Sequence, residues 1–332
     1  MNTHFKNSKK NTAILFCICV VMIISCAGNA QNQSAENDTA ILENKKTEVV
    51  IKKELLYDQH TLADTFPYQK TFRVFQWDKI HQKLVSIESM QQNPVNWGTL
   101  QNYKNENKAA PVVKNARNDE YHVIIDSLGT ERDQSAPLYS LIDTIAPVLY
   151  GIDGSLVRII EFGNTFSKIE LIDVDGEWLV PSKYLKPLDN SLVFSKVIMI
   201  DKTNQNIATL EKSDAAWLVR SMNPVTTGRH NPPYQKETPS GTFVVQEKKP
   251  EIEYYVDGTT EIGGYAPYAT RFSRGAYTHG VPVNLPATAM IEFSPTLGTV
   301  PRSHMCVRNA TSHAEFIQGW APIYETIVFV FE

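Results

Sequence analysis

The sequence predicts a mostly β protein with a partly helical N-terminal subdomain, on three observations. Between Pro137 and Leu188, short β-rich runs (148–150, 156–161, 166–172 and 178–180) alternate with the turn signals Asp153-Gly154, Gly163-Asn164 and Asp175-Gly176. Beyond Ser191, strand-like apolar runs recur at 216–222, 241–246 and 326–331. Before both regions, Trp77, Ile80, Leu84 and Ile87 fall at helical spacing, which predicts an amphipathic helix over 76–90.

The 332 residues suffice for two or three domains with real cores. Net charge is −4 and there is no basic stripe, so nucleic-acid binding has no electrostatic footprint. The start carries Lys6, Lys9 and Lys10, then an apolar run over 13–24, the layout of a secretory signal. Its end, Ile23-Ile24-Ser25-Cys26, resembles the lipobox of bacterial lipoproteins. That resemblance implies a signal peptide at 1–25, lipidation of Cys26 and a membrane partner through the lipid. It also implies a place on the periplasmic side of the envelope, with the outer membrane as the expected home. The alternative is an uncleaved signal anchor, although the run is short for a spanning helix of about 20 residues. Either way the body lies outside the cytoplasm.

Residues 26–47 are rich in Asn, Gln, Ser, Ala and Glu and read as a disordered tether. Residues 48–130 read as an accessory subdomain, within which Asn102, Tyr103, Asn105 and Asn107 either line a glycan groove or serve as core and turn residues. Residues 131–190 read as a small antiparallel barrel. Its end, Trp178-Leu179-Val180-Pro181-Ser182-Lys183-Tyr184-Leu185, resembles the closing strand and turn of bacterial SH3-like (SH3b) domains. This implies either a binder of wall peptides or a spacer. A linker at 186–191 leads to a β-rich domain over 193–332, in which 250–270, with Gly258, Gly263, Gly264, Pro267 and four tyrosines, reads as a loop-rich flap.

The chemistry concentrates in Ser303-His304-Met305-Cys306-Val307-Arg308-Asn309 and in Tyr277-Thr278-His279-Gly280 before it. Cys306 is the one thiol outside the N-terminal segment that holds Cys17, Cys19 and Cys26. Exported proteins usually pair their thiols, so a single cysteine with histidines near it is a candidate nucleophile, against the alternative of a buried inert thiol. A neighbouring imidazolium lowers a thiol's pKa, but going from about 5% thiolate to full ionisation is worth under ~2 kcal/mol. Protonating the leaving amine is therefore at least as important a task for the histidine.

His-Gly, a gap, then Ser-His-x-Cys-x-Arg resembles the signature of the L,D-transpeptidase (YkuD-type) catalytic domain. Residues 196–201 and 206–211 resemble its first hairpin, and Thr238-Pro239-Ser240-Gly241-Thr242-Phe243 its Thr-Pro-x-Gly-x-Phe turn. The resemblance implies a YkuD-like β-rich fold for 193–332, with Cys306 as acylated nucleophile and His279 as general base and acid. It implies that His304 shapes the nucleophile loop, supported by Ser303. Ser303, Arg308, Gly280, Tyr277 and Asn309 are expected on the substrate, with Arg308 taking a carboxylate or bracing the loop. Two departures stand out: Met305 where the family usually has Gly, and a longer gap from His279 to Ser303. Gly in such a loop serves a positive φ or close approach, so Met305 implies a different turn or a bulky wall.

The implied activity joins peptidoglycan stem peptides: a cysteine thioester forms on a tetrapeptide, D-alanine leaves, and a neighbouring stem's amine takes the acyl group. With water instead, the site is an L,D-carboxypeptidase; with a protein lysine, it anchors protein to the wall. A catalytically inactive wall-binding lipoprotein is the remaining alternative. No cofactor is called for. A zinc site on His279, His304 and Cys306 lacks a fourth ligand, and no Gly-x-Ser-x-Gly elbow supports a serine triad. His313 reads as a surface or packing residue and His230 as a loop residue.

Overall fold

The computed structural model describes residues 48–332. The signal at 1–25, the lipidation site Cys26 and the tether at 26–47 lie outside the described residues. The chain opens with strand β1 (Val50–Lys53), the hairpin β2 (Thr65–Tyr68) and β3 (Thr71–Val74), and helix α1 (Trp77–Met90). The helix forms where the apolar spacing puts it, burying Ile80, Leu84 and Ile87 along one face, each worth roughly 1.5–3 kcal/mol. Asp78 in its first turn suits the positive end of the helix dipole.

Strand β4 (Trp97–Leu100) follows, then the short pair β5 (Arg117–Asn118) and β6 (Ile124–Ile125), and the hairpin β7 (Ser135–Leu138) and β8 (Leu149–Ile152). Next come β9 (Leu156–Glu161), β10 (Phe166–Leu171), β11 (Glu177–Pro181) and β12 (Leu185–Pro187). The predicted turns fall between these strands, with Gly154 at φ 88° and Gly176 at φ 98° as left-handed turns require. Their five-stranded sheet runs β11-β10-β9-β4-β12 over a core of Leu100, Leu138, Val157, Ile169, Val180 and Tyr184.

This topology corrects the expected boundaries. The stretch 48–130 is not a subdomain of its own: β4 is the strand between β9 and β12, while β1 and α1 join the C-terminal domain. All four β4 residues are buried, so the strand carries no alternation to mark its face or its partners. Lys186 and Pro187, expected in a linker, pair in β12 with Thr99 and Gly98.

The rest of the chain is β13 (Lys196–Asp201), β14 (Asn206–Ser213), β15 (Ala216–Pro224), β16 (Gly241–Val244), β17 (Glu247–Tyr255), β18 (Ile262–Ser273), β19 (Ala276–His279), β20 (Val283–Asn284), β21 (Val307–Arg308), α2 (Thr311–Trp320) and β22 (Thr326–Phe331). One sheet runs β1-β15-β14-β13-β22-β16 and a second β17-β18-β19-β21. The first is covered on both faces: Val197, Met199, Ile327 and Phe329 meet α1, whereas Ile198, Ile200, Val328 and Val330 meet the second sheet and α2. That is why 197–200 and 327–331 are continuously apolar. The interval read as a loop-rich flap is a long hairpin, β17 on β18. Its glycines mimic loop signals, but Gly264 serves close approach: a Cβ there would lie 2.1 Å from Val283 O.

Candidate active site

Parallel pairing sets Thr278 opposite Val307 and His279 opposite Arg308. Side chains alternate along a strand. Thr278 and Val307 therefore enter the core, while Tyr277, His279, Cys306 and Arg308 all line one cavity of about 1370 Å³. Two segments far apart in sequence thus present imidazole, thiol and guanidinium to a common space. The wall opposite includes Glu251, Tyr254 and Asp257 of the β17–β18 hairpin.

His279 is 4% exposed, and its Nδ1 lies 2.6 Å from Gly280 O. A carbonyl oxygen only accepts, so Nδ1 carries the hydrogen and Nε2 is left as the base. Burial pushes the imidazole pKa down to about 4; the Gly280 carbonyl opposes this and the Arg308 charge adds to it. Gly280 acts through its backbone: its N–H donates to Pro267 O at 2.8 Å, and a Cβ would lie 2.8 Å from Thr311 Oγ1 and 2.9 Å from Pro267 Cγ. It packs and orients, and offers no side chain to substrate.

Cys306 is half-buried and donates to Gly275 O at 3.5 Å. Burial pushes its thiol up to about 11, with the Tyr277 backbone N–H and the Arg308 charge pulling the other way. Both shifts favour the uncharged forms, so the cavity holds a neutral thiol and a neutral imidazole at rest. Burial disfavours the charged form of each group, and for the thiol it outweighs the stabilising Arg308 charge.

The nucleophile turn keeps a left-handed residue without glycine. Met305 has φ 75°, its N–H donates to Lys236 O at 2.8 Å, and its carbonyl accepts from Thr238 Oγ1 at 2.8 Å. These bonds from the Thr-Pro-x-Gly turn hold a conformation that costs a non-glycine residue roughly 1–2 kcal/mol. The Met305 side chain packs against the core shared with Phe316 and Ile317, so it forms no wall over the site. The backbone N–H groups of His304 and Cys306 carry no hydrogen bond among the described residues.

Of the other expected substrate contacts, Ser303 and Tyr277 also line the cavity, whereas Asn309 does not. Ser303 is buried, and its hydroxyl donates to Cys306 O, closing the turn. Asn309 is wholly buried: its N–H donates to His279 O at 2.8 Å, its Nδ2 to Val307 O at 3.0 Å, and its Oδ1 faces His313 Nδ1 at 3.0 Å. Tyr277 is 4% exposed and donates to Glu247 Oε2 at 3.1 Å. His304, expected in the catalytic set, pairs through Nε2 with Asp257 Oδ1 at 3.2 Å across the cavity mouth. Arg308 fits its expectation best. It lines the cavity, forms no ion pair among the described residues, and its buried Nε has no partner. Among the described residues no group of three metal-ligating side chains is placed to hold an ion.

His313 is the packing residue, wholly buried between Asn309 and Ser221 Oγ, which is 2.9 Å from Nε2, and burial pushes its pKa down to about 3. With His279 it is expected to make the protein acid-sensitive. Both pKa values are depressed below the unfolded 6.5, so the unfolded chain binds more protons in this range, and stability falls as pH drops from 6.5 toward 4 and then 3. At pH 5 each histidine is expected to cost about 2 kcal/mol. Calorimetric scans from pH 7.5 to 5 should show Tm falling, and His313→Gln should remove about half of the fall. A flat profile would refute neutral burial of the pair.

The sequence gives no notice of how the preceding module grips this site. Asp153, 1% exposed, accepts from Asn102 N at 2.8 Å, Arg271 Nη1 at 2.8 Å, Arg274 N at 2.9 Å and Gln246 Nε2 at 3.2 Å. Its carbonyl accepts from Ser273 Oγ at 2.8 Å. Asp153 thus clamps the turn between β18 and β19, whose Gly275 carbonyl receives the Cys306 thiol. Glu131 pairs with Arg274 at 3.2 Å and with Lys236 at 2.8 Å, the residue whose carbonyl holds Met305. Asp153-Gly154 is legible in sequence only as a turn. That Gly154 approaches β18, where a Cβ would lie 2.1 Å from Phe272 O, appears only in three dimensions.

Residues 195–330 match the family model described as YkuD, L,D-transpeptidase catalytic domain. No curated protein matches the chain. Among solved structures, it is similar to L,D-transpeptidase 3 from Mycobacterium tuberculosis, with 20% identity over 55% of this chain and 93% of that one and a TM-score of 0.34. An L,D-transpeptidase from Mycobacterium smegmatis has 15% identity over 72% of this chain and all of that one, with a TM-score of 0.33. A fused Zn-dependent amidase/peptidase/peptidoglycan-binding domain-containing protein from Clostridium acetobutylicum has 18% identity and a TM-score of 0.30. There the match spans 43% of this chain and 55% of that one, about half its length.

Proposed function

Residues 195–330 being a YkuD-type L,D-transpeptidase catalytic domain, we propose that the chain is a cysteine acyltransferase of peptidoglycan stem peptides. The observation that carries this reading is the neutral His279, locked by Gly280 O as the Nδ1–H tautomer, on the same cavity as Cys306 and Arg308. His279 Nε2 takes the thiol proton as Sγ attacks the carbonyl after the third residue of a tetrapeptide stem. The unused N–H groups of His304 and Cys306 are the available donors for the oxyanion, since that of Met305 is occupied. Collapse of the tetrahedral adduct breaks the peptide bond, and His279 returns its proton to the departing D-alanine amine. A thioester remains. An amine on a second stem then attacks it, loses its proton to His279 and regenerates the thiol, leaving a cross-link between the third residues of two stems.

Arg308, charged and without an acidic partner, is the group for a substrate carboxylate. The left-handed Met305 keeps the turn that the family builds with glycine, which speaks for the active enzyme over an inert wall-binding lipoprotein. The lipobox-like Cys26 supports a membrane anchor on the periplasmic side of the envelope. Among the described residues, no helix is long and apolar enough to cross a membrane.

Incubation with disaccharide-tetrapeptide, followed by mass spectrometry, tests the assignment. Free D-alanine, dimers and a Cys306 acyl adduct are expected. Tripeptide without dimers would make water the acceptor, giving an L,D-carboxypeptidase, and transfer only to an added protein amine would make it a wall-anchoring enzyme. Unchanged tetrapeptide would overturn the acyltransferase.

A further inference from the structure

Two residues on the wall of the active-site cavity, Tyr103 and Lys104, come from the N-terminal module rather than from the catalytic domain. They sit on a single 3-10 turn, Tyr103–Asn105, directly after β4. The turn is held in an uncommon backbone state: Lys104 has φ 52° and Asn105 φ 56°, two successive left-handed residues, neither of them glycine. Such a conformation persists only where the surroundings dictate it. Here Lys104 N donates to Gln134 Oε1 at 3.0 Å, Asn105 Oδ1 accepts from Gln134 N at 2.9 Å, and Asn105 Nδ2 bonds Asp133 Oδ1 at 2.5 Å. Buried Asn102, just before the turn, donates through Nδ2 to Ser135 O at 2.9 Å and Lys108 O at 3.0 Å.

The Tyr103 ring is fixed as well. The Arg271 guanidinium stacks on it at 4.1 Å, and its hydroxyl lies 3.4 Å from that of Tyr277. Arg271 is neutralised by Asp153 at 2.8 Å and approached by Glu247 at 3.4 Å, so its charge is spoken for. Lys249, elsewhere on the cavity wall, is paired with Glu247 at 3.3 Å. Lys104 differs. Its ammonium stands 5.2 Å from the Tyr103 ring centroid and forms no ion pair among the described residues.

We propose that Tyr103 and Lys104 are specificity-determining residues that bind a stem peptide carrying a free carboxylate away from the reacting carbonyl. The ring is a shelf for the peptide and the ammonium the counter-charge for the carboxylate. The site rests on the stem-peptide reading given above, and it makes the module part of the substrate cleft rather than a separate wall-binding unit.

Binding of tetrapeptide stems, with the remote carboxylate free or amidated, is measured by calorimetry in the Cys306→Ser background, with and without Lys104→Glu. The charge reversal should raise Kd for the free carboxylate about five- to tenfold and leave the amidated stem within twofold. An equal change for both stems, no change for either, or no binding of either would overturn the subsite. Turnover by the wild-type protein is read separately. Lys104-dependent binding without turnover would sink the acyltransferase and leave the subsite standing.

Discussion

Replacing His279 with glutamine will lower kcat/KM on tetrapeptide by about 10³–10⁴-fold, some 4–5.5 kcal/mol of transition-state stabilisation. Glutamine can still donate to Gly280 O but has no basic nitrogen to take the thiol proton. The loss should exceed what unpaired thiols suffer, because the resting sulfur is a neutral thiol pushed up to about 11. A thiolate already formed would need no base in the first step. The same substitution removes a buried titrating group, so the variant should also lose part of the acid sensitivity described above. Steady-state kinetics beside thermal scans at pH 7 and pH 5 separate the two effects. A variant that keeps turnover within tenfold of the wild type would show that His279 is not the base.

Asp153→Ala is expected to cost about 3–5 kcal/mol of stability, because it strands the buried Arg271 guanidinium together with three other donors. For a folded unit of this size that corresponds to a Tm lower by roughly 10 °C. Activity should fall further than stability alone requires. The clamped turn carries Gly275, whose carbonyl receives the thiol, and a displacement near 1 Å beside a nucleophile costs on the order of 10²-fold. Asp153→Asn retains one acceptor oxygen and should lie between. Calorimetry and kinetics on both variants, below their melting temperatures, check this. An alanine variant with wild-type Tm would mean that the module is merely tethered.

The side chains that share the cavity were legible because chemistry restricts residue type. One thiol outside the N-terminal segment, flanked by His304 and Arg308 and preceded by His279-Gly280, leaves few readings. Helix α1 was legible from Ile80, Leu84 and Ile87, whose spacing is a local property. What escaped was long-range. Nothing near Trp97-Gly98-Thr99-Leu100 says that the strand lies between β9 and β12, and nothing near Asp153 says that its carboxylate crosses to Arg271 and Arg274. The inward setting of Asn309 escaped for a related reason. It follows the nucleophile closely, but its side chain is buried against Val307 O and His313. Met305 shows the reverse. Sequence flagged the missing glycine, yet Lys236 and Thr238 supply by hydrogen bonding what the residue lacks in freedom.

Strand β1 runs parallel to β15 and occupies what would otherwise be the rim of the six-stranded sheet. A chain trimmed to begin at the catalytic domain would retain every group proposed to react, yet it would bare the N–H and C=O groups of β15 from Ala216 to Val219. Such a rim invites pairing with another copy. With β1 in place Lys52 stands on the outermost strand instead, where its charge discourages neighbours, while Lys53 is paired with Asp64 at 2.5 Å. Strand β1, though it holds none of the groups proposed to react, therefore acts as a guard against self-association.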